Sequence, residues 1–447
     1  MLRRIGLRRA GLIVPDAAPA LETDAGASEL LLPVNEPEPN AVARGRAGFG
    51  WRRATVVTLA VVVMLGGAAY SQMDRIAPAG ADLSRRVIGD ENTARVEGWM
   101  FRVEDRVQRT KYKFLGGADD PFATREVRVQ FIPRVPRKEI PYYVGGLSSG
   151  DVDLHVEDFR PPPLAFPATT VLQSEALPGE GSWSVAGLPR NVPGDSIMAR
   201  TFIRPDKARP YATVGVLLVD QRRVRLSMVG GTAEPGGDRG VRGPGIIPKA
   251  DYDSLLLAFN GGFKGPHGGF GMIANGNQYM PMRNGLATVC SSADGSILMG
   301  EFGRDFGWKD SFEACRQNAI LMVDKGEVSR RTTEGNDTWG YVKVDSSEFI
   351  TWRSAVGLTK DGNLLIAAGN SLSADTLAKA LWASGAYMAM QLDINGPYIS
   401  TALFYQQPDG SLKAEKFMES MAPSPSNFLG TRERDFFYVT LDESRFE

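Results

Sequence analysis

An uncharged stretch of 20 residues, positions 54–73, divides the chain into two unequal parts. At a rise of about 1.5 Å per residue, a helix of this length spans a hydrocarbon core of about 30 Å. Arginine is concentrated just before the stretch, at positions 44, 46, 52 and 53. The positive-inside rule therefore predicts a single-pass membrane helix, with a cytoplasmic N-terminus and an extracytoplasmic C-terminal part. A cleaved signal peptide is the alternative, although so long a leader is unusual.

The segments on either side of that stretch differ in composition. Residues 1–53 mix Ala and Pro with scattered acids, and such a segment cannot bury enough apolar surface to order itself. We therefore expect a disordered cytoplasmic tail. Residues 74–138 contain a helical pattern with one apolar face, formed by Val96, Trp99, Met100, Val103 and Val107. The pattern predicts a juxtamembrane helical stalk, either packed on the following domain or paired with a second copy as a homo-oligomer.

Residues 139–447 consist largely of short apolar runs separated by Gly and Pro. The chain contains 50 glycines and 28 prolines, so turns and short strands should be plentiful. Two runs on either side of Lys360, Asp361 and Gly362 predict a β-hairpin, and Ser373 begins a helix with one apolar face. The expected fold class is α+β, or mixed α/β. It comprises a β-rich extracytoplasmic domain with a few helices, preceded by the membrane helix and the stalk.

Charge and cysteine content limit the possible functions. The 51 basic and 52 acidic residues nearly cancel, so the chain has no general attraction for nucleic acid. A bridge between Cys290 and Cys315 would close a loop of about 25 residues and stabilise the fold by about 3 kcal/mol. Two free thiols are the alternative. Neither CxxC nor HExxH occurs, so a zinc site is not expected.

A glycine-rich stretch, FNGGFKGPHGGFGM at positions 259–272, directly follows an apolar run. Glycine allows a backbone to approach a ligand closely, although its freedom in the unfolded chain lowers stability. A second feature is Asp393, which ends a predicted strand and is followed three residues later by glycine. Proteins of the α/β class commonly place chemistry at such strand ends. The alternatives are a long irregular turn for the first feature and an Asx turn for the second.

Three ordered blocks resemble those of the phosphodiester glycosidase family. They are NGGF at 260–263, WRSAVGLTKDGNLLIAAG at 352–369 and SADTLAKALWASGAYMAMQLD at 373–393. The family's blocks are an Asn-Gly-Gly-Phe turn, an Arg-x-Ala-hydrophobic-Gly strand and a helix leading to Leu-Asp-Gly-Gly-Gly-Ser. Here Asp393 is followed by Ile, Asn, Gly and Pro, so this chain departs from the triple glycine and the serine. The resemblance covers roughly residues 255–400.

The resemblance implies a hydrolase that cleaves a sugar 1-phosphodiester of a glycan at the anomeric carbon. The leaving group is a phosphomonoester anion that needs no protonation, so one carboxylate with cationic or amide donors can suffice. We expect Asp393 to act as base or nucleophile and Arg353 to hold the phosphate. Asn260, the second predicted catalytic residue, is expected to complete an anion cradle with the amides of Gly261 and Gly262.

Other side chains are expected to contact the substrate. Lys264 and His267 could add charge or a proton, and Asn395 could orient the sugar. Arg316 is a second phosphate candidate, with a surface ion pair as the alternative. No cofactor is expected, although Asp393 and nearby carbonyls could accept a calcium ion. The predicted substrate-binding set, beyond the groups of the cradle, is Phe263, Lys264, His267, Arg316, Arg353, Asn395 and Gly396.

Two other functions are compatible with the sequence. One is non-catalytic glycan binding by a degenerate glycosidase-like cleft. The other is an envelope scaffold, tethered through residues 54–73 and assembled through the stalk. Replacement of Asp393 by Asn separates the first from the hydrolase, because hydrolysis should vanish while binding persists.

Overall fold

The structure, a computed structural model, describes residues 87–117, 120–122, 164–190, 196–236, 240–340 and 349–442. The predicted cytoplasmic tail and the predicted membrane segment at 54–73 lie outside these residues. The described part contains three antiparallel sheets and few helices. Its longer helices are α1 (Asp90–Leu115) and α3 (Ala374–Ala383), and a single helical turn, α2 (Asn336–Trp339), lies between them in the chain.

The largest sheet has seven strands, and all of its neighbouring strands are antiparallel. Its order is β1 (Met198–Ile203), β2 (Val214–Val219), β13 (Leu364–Leu372), β12 (Thr351–Thr359), β14 (Ala386–Ile394), β10 (Leu321–Asp324) and β11 (Glu327–Val328). The hairpin predicted around Gly362 is confirmed by the pairing of β12 with β13.

Two smaller sheets have five strands each. One has the order β16 (Leu412–Lys416), β15 (Thr401–Gln406), β4 (Leu255–Asn260), β17 (Phe436–Leu441) and β3 (Val224–Val229). The other has the order β6 (Asn277–Met280), β5 (Met272–Ala274), β9 (Phe312–Gln317), β7 (Ala287–Ser292) and β8 (Ile297–Glu301). Within the second sheet, Cys290 on β7 lies opposite Cys315 on β9, and a disulfide joins them.

The hydrophobic core has one part on each face of the seven-stranded sheet. Residues such as Leu217 and Leu392 pack with Phe259 of β4 in the core between the sheets. On the opposite face, α3 buries Leu377 and Leu381. Because these apolar residues recur at helical spacing, α3 can cover the sheet with a single face. The predicted cap of α3 is also confirmed, since the Ser373 side chain accepts from the backbone of the first turn.

The predicted fold class is wrong. In a mixed α/β fold, a strand, a helix and a strand in succession, such as β13, α3 and β14, usually lead to neighbouring parallel strands. In the structure β12 lies between β13 and β14, and it pairs with both of them in antiparallel fashion. The crossover helix therefore connects strands that are not neighbours. The described chain is a β-rich antiparallel structure with few helices.

The structure gives no support to the membrane helix and stalk of the predicted fold. None of the helices among the described residues is long and apolar enough to cross a membrane. Helix α1 does form, but it does not stand apart as a stalk. Its acidic side chains reach the sheets, because Asp105 pairs with Arg209 at 2.8 Å and Glu97 accepts from Asn395 at 3.3 Å.

The apolar stripe predicted on α1 faces away from the sheets. Trp99 is 60% exposed and Val107 is 59% exposed, whereas Thr93, Ala94 and Gly98 on the other side of the helix are buried. The expectation that the stripe packs on the domain is therefore wrong. The opposite side of α1 carries Phe101, which packs on the core, and acids that have basic and amide partners. Pairing with a second copy stays a prediction.

Candidate active site

Asp393 lies at a β-bulge one residue before the end of β14. Arg353 on β12 is paired with Ile394, but two residues further along β12 the partner is already Gln391, so β14 has one extra residue here. In a regular strand Asp393 and Gln391 would point to the same face. The bulge changes this direction. Gln391 accepts a hydrogen bond from Arg353, whereas Asp393 pairs with Arg434.

Arg434 combines a carboxylate contact with an unused donor. Its Nη2 lies 2.5 Å from Oδ2 of Asp393, and its guanidinium carbon lies 4.3 Å from the centre of the Tyr398 ring. Its Nη1 is buried and has no hydrogen-bond partner among the described residues. A buried donor left in this state costs about 1–3 kcal/mol. Lys264 adds a second cation, with its Nζ 5.9 Å from the same ring.

Burial raises the pKa of Asp393 to about 6. Arg434 and the backbone N–H of Ile394, which donates to Asp393 Oδ1 at 2.8 Å, oppose this rise by stabilising the carboxylate. The carboxyl group therefore changes protonation state close to neutral pH. A group in that range can both accept and return a proton during a reaction.

A pocket of about 490 Å³ opens beside Asp393. Its wall combines the glycine-rich stretch, the end of β14, the segment before β17 and one side of α1. The predicted site residues that it brings together are Phe263, Lys264, His267, Asp393 and Asn395. The lining residues that the sequence did not identify include Glu97, Asn336, Tyr398 and Arg434.

The amides of Gly261 and Gly262 are used inside the protein. They donate to Asp435, to its backbone oxygen at 3.0 Å and to its carboxylate at 3.3 Å respectively. Arg316 is fully buried and binds the same carboxylate at 2.9 Å. A Cβ at Gly261 would collide with Asp435, so close packing explains the glycine. Both amides and Arg316 therefore hold the glycine-rich loop in place through Asp435, whereas the sequence predicted that they contact a ligand.

Asn260 contacts Asp393 indirectly, through the hydroxyl group of Ser354. Its Nδ2 donates to Ser354 Oγ at 2.9 Å, and the same hydroxyl accepts from the backbone N–H of Asp393 at 3.2 Å. Its Oδ1 accepts from the backbone N–H of Ser400 at 3.2 Å. Asn260 is buried and does not line the pocket. Its placement is that of a positioning residue for Asp393, whereas a catalytic role was predicted.

Arg353 is placed away from the pocket around Asp393. The side chain is 2% exposed, and it makes hydrogen bonds of 2.7–3.1 Å to Trp339 O, Phe349 O, Leu372 O and Gln391 Oε1. With its donors engaged in this way, Arg353 fixes the loop that carries α2 against the sheet. The role of Arg353 as phosphate ligand stays a prediction, and the structure places this side chain outside the wall of the pocket beside Asp393.

The segment after Asp393 contributes Ile394, Asn395 and Tyr398 to the pocket wall. Asn395 accepts from the Thr351 hydroxyl at 3.0 Å and donates to Glu97 of α1 at 3.3 Å. It has a positive φ of 74°, a conformation that asparagine tolerates better than most residues. Gly396 begins a short 3₁₀ turn and is not part of the pocket wall.

Arg434 was not identified from the sequence because it precedes a strand. Asp393 was predicted because functional residues of α/β proteins commonly follow the strands of a parallel sheet. In this antiparallel sheet, Phe436 at the start of β17 is paired with Asn260 at the end of β4. Residues just before β17 therefore lie beside the loop after β4. The charged run RERD before an apolar strand, positions 432–435, is the signal that could have found Arg434.

No group of three or more His, Cys, Asp or Glu side chains in the described part of the chain could hold a metal ion. The oxygens of Asp393 accept from Arg434 and Ile394. The calcium ion considered from the sequence therefore has no cluster of acidic ligands at this position.

Comparison with known proteins reveals distant structural similarity. The chain is 18% identical to the catalytic domain of zebrafish N-acetylglucosamine-1-phosphodiester alpha-N-acetylglucosaminidase, solved in a form auto-inhibited by its pro-peptide. That match covers 57% of this chain and 86% of the other, with a TM-score of 0.37. A hypothetical protein from Synechocystis is 12% identical, with coverages of 52% and 59% and a TM-score of 0.29. A protein from Burkholderia pseudomallei is 14% identical, with coverages of 56% and 75% and a TM-score of 0.26.

No protein-family model matches the chain, and no curated protein matches its sequence. The three structural matches are remote, with TM-scores of 0.37, 0.29 and 0.26.

Proposed function

We propose that the chain is a hydrolase that cleaves a sugar 1-phosphodiester at the bond between the anomeric carbon and oxygen. The observation that carries this proposal is the pair formed by Asp393 and Arg434 in one pocket. The carboxyl group has a pKa of about 6, and the guanidinium beside it has a buried nitrogen without a partner. An acid and an anion donor side by side fit a substrate in which a phosphate adjoins the reacting carbon.

Asp393 is the base of the proposed reaction. Its ionised form takes a proton from water, the water oxygen bonds to the anomeric carbon, and the bond from that carbon to the phosphate oxygen breaks. The bonding electron pair leaves with the phosphomonoester. Because this leaving group is already a stable anion, the reaction does not need the second carboxyl that ordinary glycosidases use to protonate an alcohol.

Arg434 and Lys264 hold the phosphate in this proposal. Arg434 keeps its contact with Asp393 through Nη2 and offers Nη1 to a phosphate oxygen. Lys264 lies close enough to stabilise the Asp393 carboxylate by charge, as Arg434 does. The Tyr398 ring is in cation–π contact with both, at 4.3 Å from the Arg434 guanidinium carbon and 5.9 Å from Lys264 Nζ.

Replacement of Asp393 by Asn tests the proposal. With a sugar 1-phosphodiester as test compound, wild-type full-length chain should release free sugar and phosphomonoester in equal amounts. The variant should lose at least about 100-fold in rate, within the range expected for loss of a general base. Asp361→Asn, in an exposed hairpin turn, is the matched control and should keep wild-type activity.

Binding of the test compound separates the hydrolase from a glycan-binding protein. Asp393→Asn should still bind it, because Arg434 remains in place. If the wild type binds such compounds and never releases sugar, the hydrolase is refuted and the non-catalytic alternative replaces it.

A further inference from the structure

A second pocket lies along the same side of α1 and is rich in arginine. It encloses about 800 Å³ of open space, and its wall contains four arginines and one acid: Arg102, Arg106, Arg109, Arg209 and Asp105. Phe349 is part of this wall and also of the wall beside Asp393. The two pockets are therefore neighbours.

Asp105, the acid in the wall of this pocket, accepts hydrogen bonds from three side chains. Asp105 accepts from Arg209 at 2.8 Å, from Arg109 at 2.9 Å and from the Tyr211 hydroxyl at 2.5 Å. These partners hold the pKa of Asp105 below its usual value although burial raises it, so the group stays ionised at neutral pH. Asp105 thus balances part of the positive charge, and Arg209 has a second acidic partner in Asp206 at 2.9 Å.

Arg102 and Arg106 are the unbalanced charges. They are four residues apart on α1, so they project from the same side of the helix. Neither has an acidic partner among the described residues, and both are exposed. A guanidinium fork binds phosphate oxygens in a geometry that matches its paired donors. The pocket has the charge and the concave shape for a phosphate group.

The residues of α1 that line the two pockets follow one another along the helix, so the arginine-rich pocket lies next to the pocket beside Asp393. Ala94 and Glu97 face the pocket beside Asp393, and Gly98 and Arg102 face the second one. One helical turn rises about 5.4 Å, so the two regions follow one another along the helix within a short distance. A ligand that occupies the first pocket can extend into the second without leaving the surface of α1.

We infer that the arginine pocket is a binding subsite for a further phosphate of the substrate, which is then an oligomeric glycan with repeated phosphodiester links. This inference rests on the proposed function for the identity of the chain that enters it. Binding of an anion in the arginine pocket does not require that the protein hydrolyse it. A single sugar phosphodiester would fill only the pocket beside Asp393.

Binding of tripolyphosphate to the full-length chain tests the subsite directly, by calorimetry at low salt. The variant is Arg102→Gln/Arg106→Gln, and the matched control is Arg95→Gln/Lys111→Gln, which removes two exposed cations of α1 outside the pocket wall. We expect affinity to fall at least tenfold in the variant and less than twofold in the control. Equal losses in the two would overturn the subsite, because only general charge would then matter.

Hydrolysis provides an independent second readout. The variant should raise KM for an oligomer of phosphodiester-linked sugars at least fivefold, and it should leave kcat/KM for a single sugar 1-phosphodiester unchanged. Equal KM values for wild type and variant with the oligomer would refute the extended substrate. If no compound is hydrolysed but tripolyphosphate binding shows the expected difference, the proposed function fails and the anion site stands.

Discussion

Replacement of Arg434 by Gln should shift the pH dependence of hydrolysis to higher pH. Asp393 has a pKa of about 6 with Arg434 in contact, so about nine-tenths of the carboxyl group is ionised at pH 7. An opposite charge at this range lowers a carboxyl pKa by about 1–3 units. Without Arg434, the pKa of Asp393 should therefore rise by that amount. The ionised fraction at pH 7 should then fall about 2-fold to 100-fold.

The assay is kcat and kcat/KM for a sugar 1-phosphodiester between pH 5 and pH 9. The base must be ionised, so the wild-type rate should rise with pH and level off above about 6. In Arg434→Gln the inflection should lie at higher pH, and Arg434→Lys should fall between the two proteins. Arg225→Gln, which removes an arginine from a partly exposed ion pair, is the control and should keep the wild-type inflection. An inflection in Arg434→Gln at or below the wild-type position would refute the reasoning.

Two further predictions concern stability. Asp435→Asn leaves the buried Arg316 without its carboxylate, which should lower the free energy of unfolding by about 3–5 kcal/mol in denaturant titrations; an unchanged midpoint would show that the pair does not hold the glycine-rich loop. Replacing Cys290 and Cys315 together by Ala should lower the same quantity by about 3 kcal/mol, because the disulfide closes a loop of 25 residues, and a thiol-reducing agent should then have no further effect on the variant.

Much of the secondary structure follows from the sequence because the apolar runs are short and well separated. The β12–β13 hairpin and α3 are marked by a turn sequence and by a capping residue, and both signals are local. The fold class depends on which strands become neighbours. The position of β12 between β13 and β14 is set by contacts distant in sequence, which local patterns do not contain.

The site shows the same division between local and distant information. Asp393 is recognisable from its position at a strand end, and the bulge that directs it arises only from pairing with β12. The NGGF turn predicts close packing at glycine, but the sequence does not reveal whether a ligand or Asp435 fills the space. In the sequence Arg434 is visible only as part of the charged run before β17, and its place beside Asp393 depends on the antiparallel register of β17 with β4.

The apolar stripe of α1 shows a limit of periodicity. Its spacing correctly indicates a helix, yet the side with Trp99 and Val107 is exposed, and the side with Asp105 contacts the sheets. Periodicity identifies two faces and assumes that the apolar one packs inward. Here the inward side of α1 carries Phe101, which packs on the core, and Asp105, which pairs with Arg209.

Hydrolysis in water enriched in ¹⁸O tests the central claim most directly, because it identifies the bond that breaks. Attack of water on the anomeric carbon should place the label in the hydroxyl group at C1 of the released sugar, with none in the phosphomonoester, as seen by mass spectrometry. Label in the phosphomonoester would show that water attacks phosphorus. The assignment of Asp393 as the base for a glycosidic cleavage would then be contradicted.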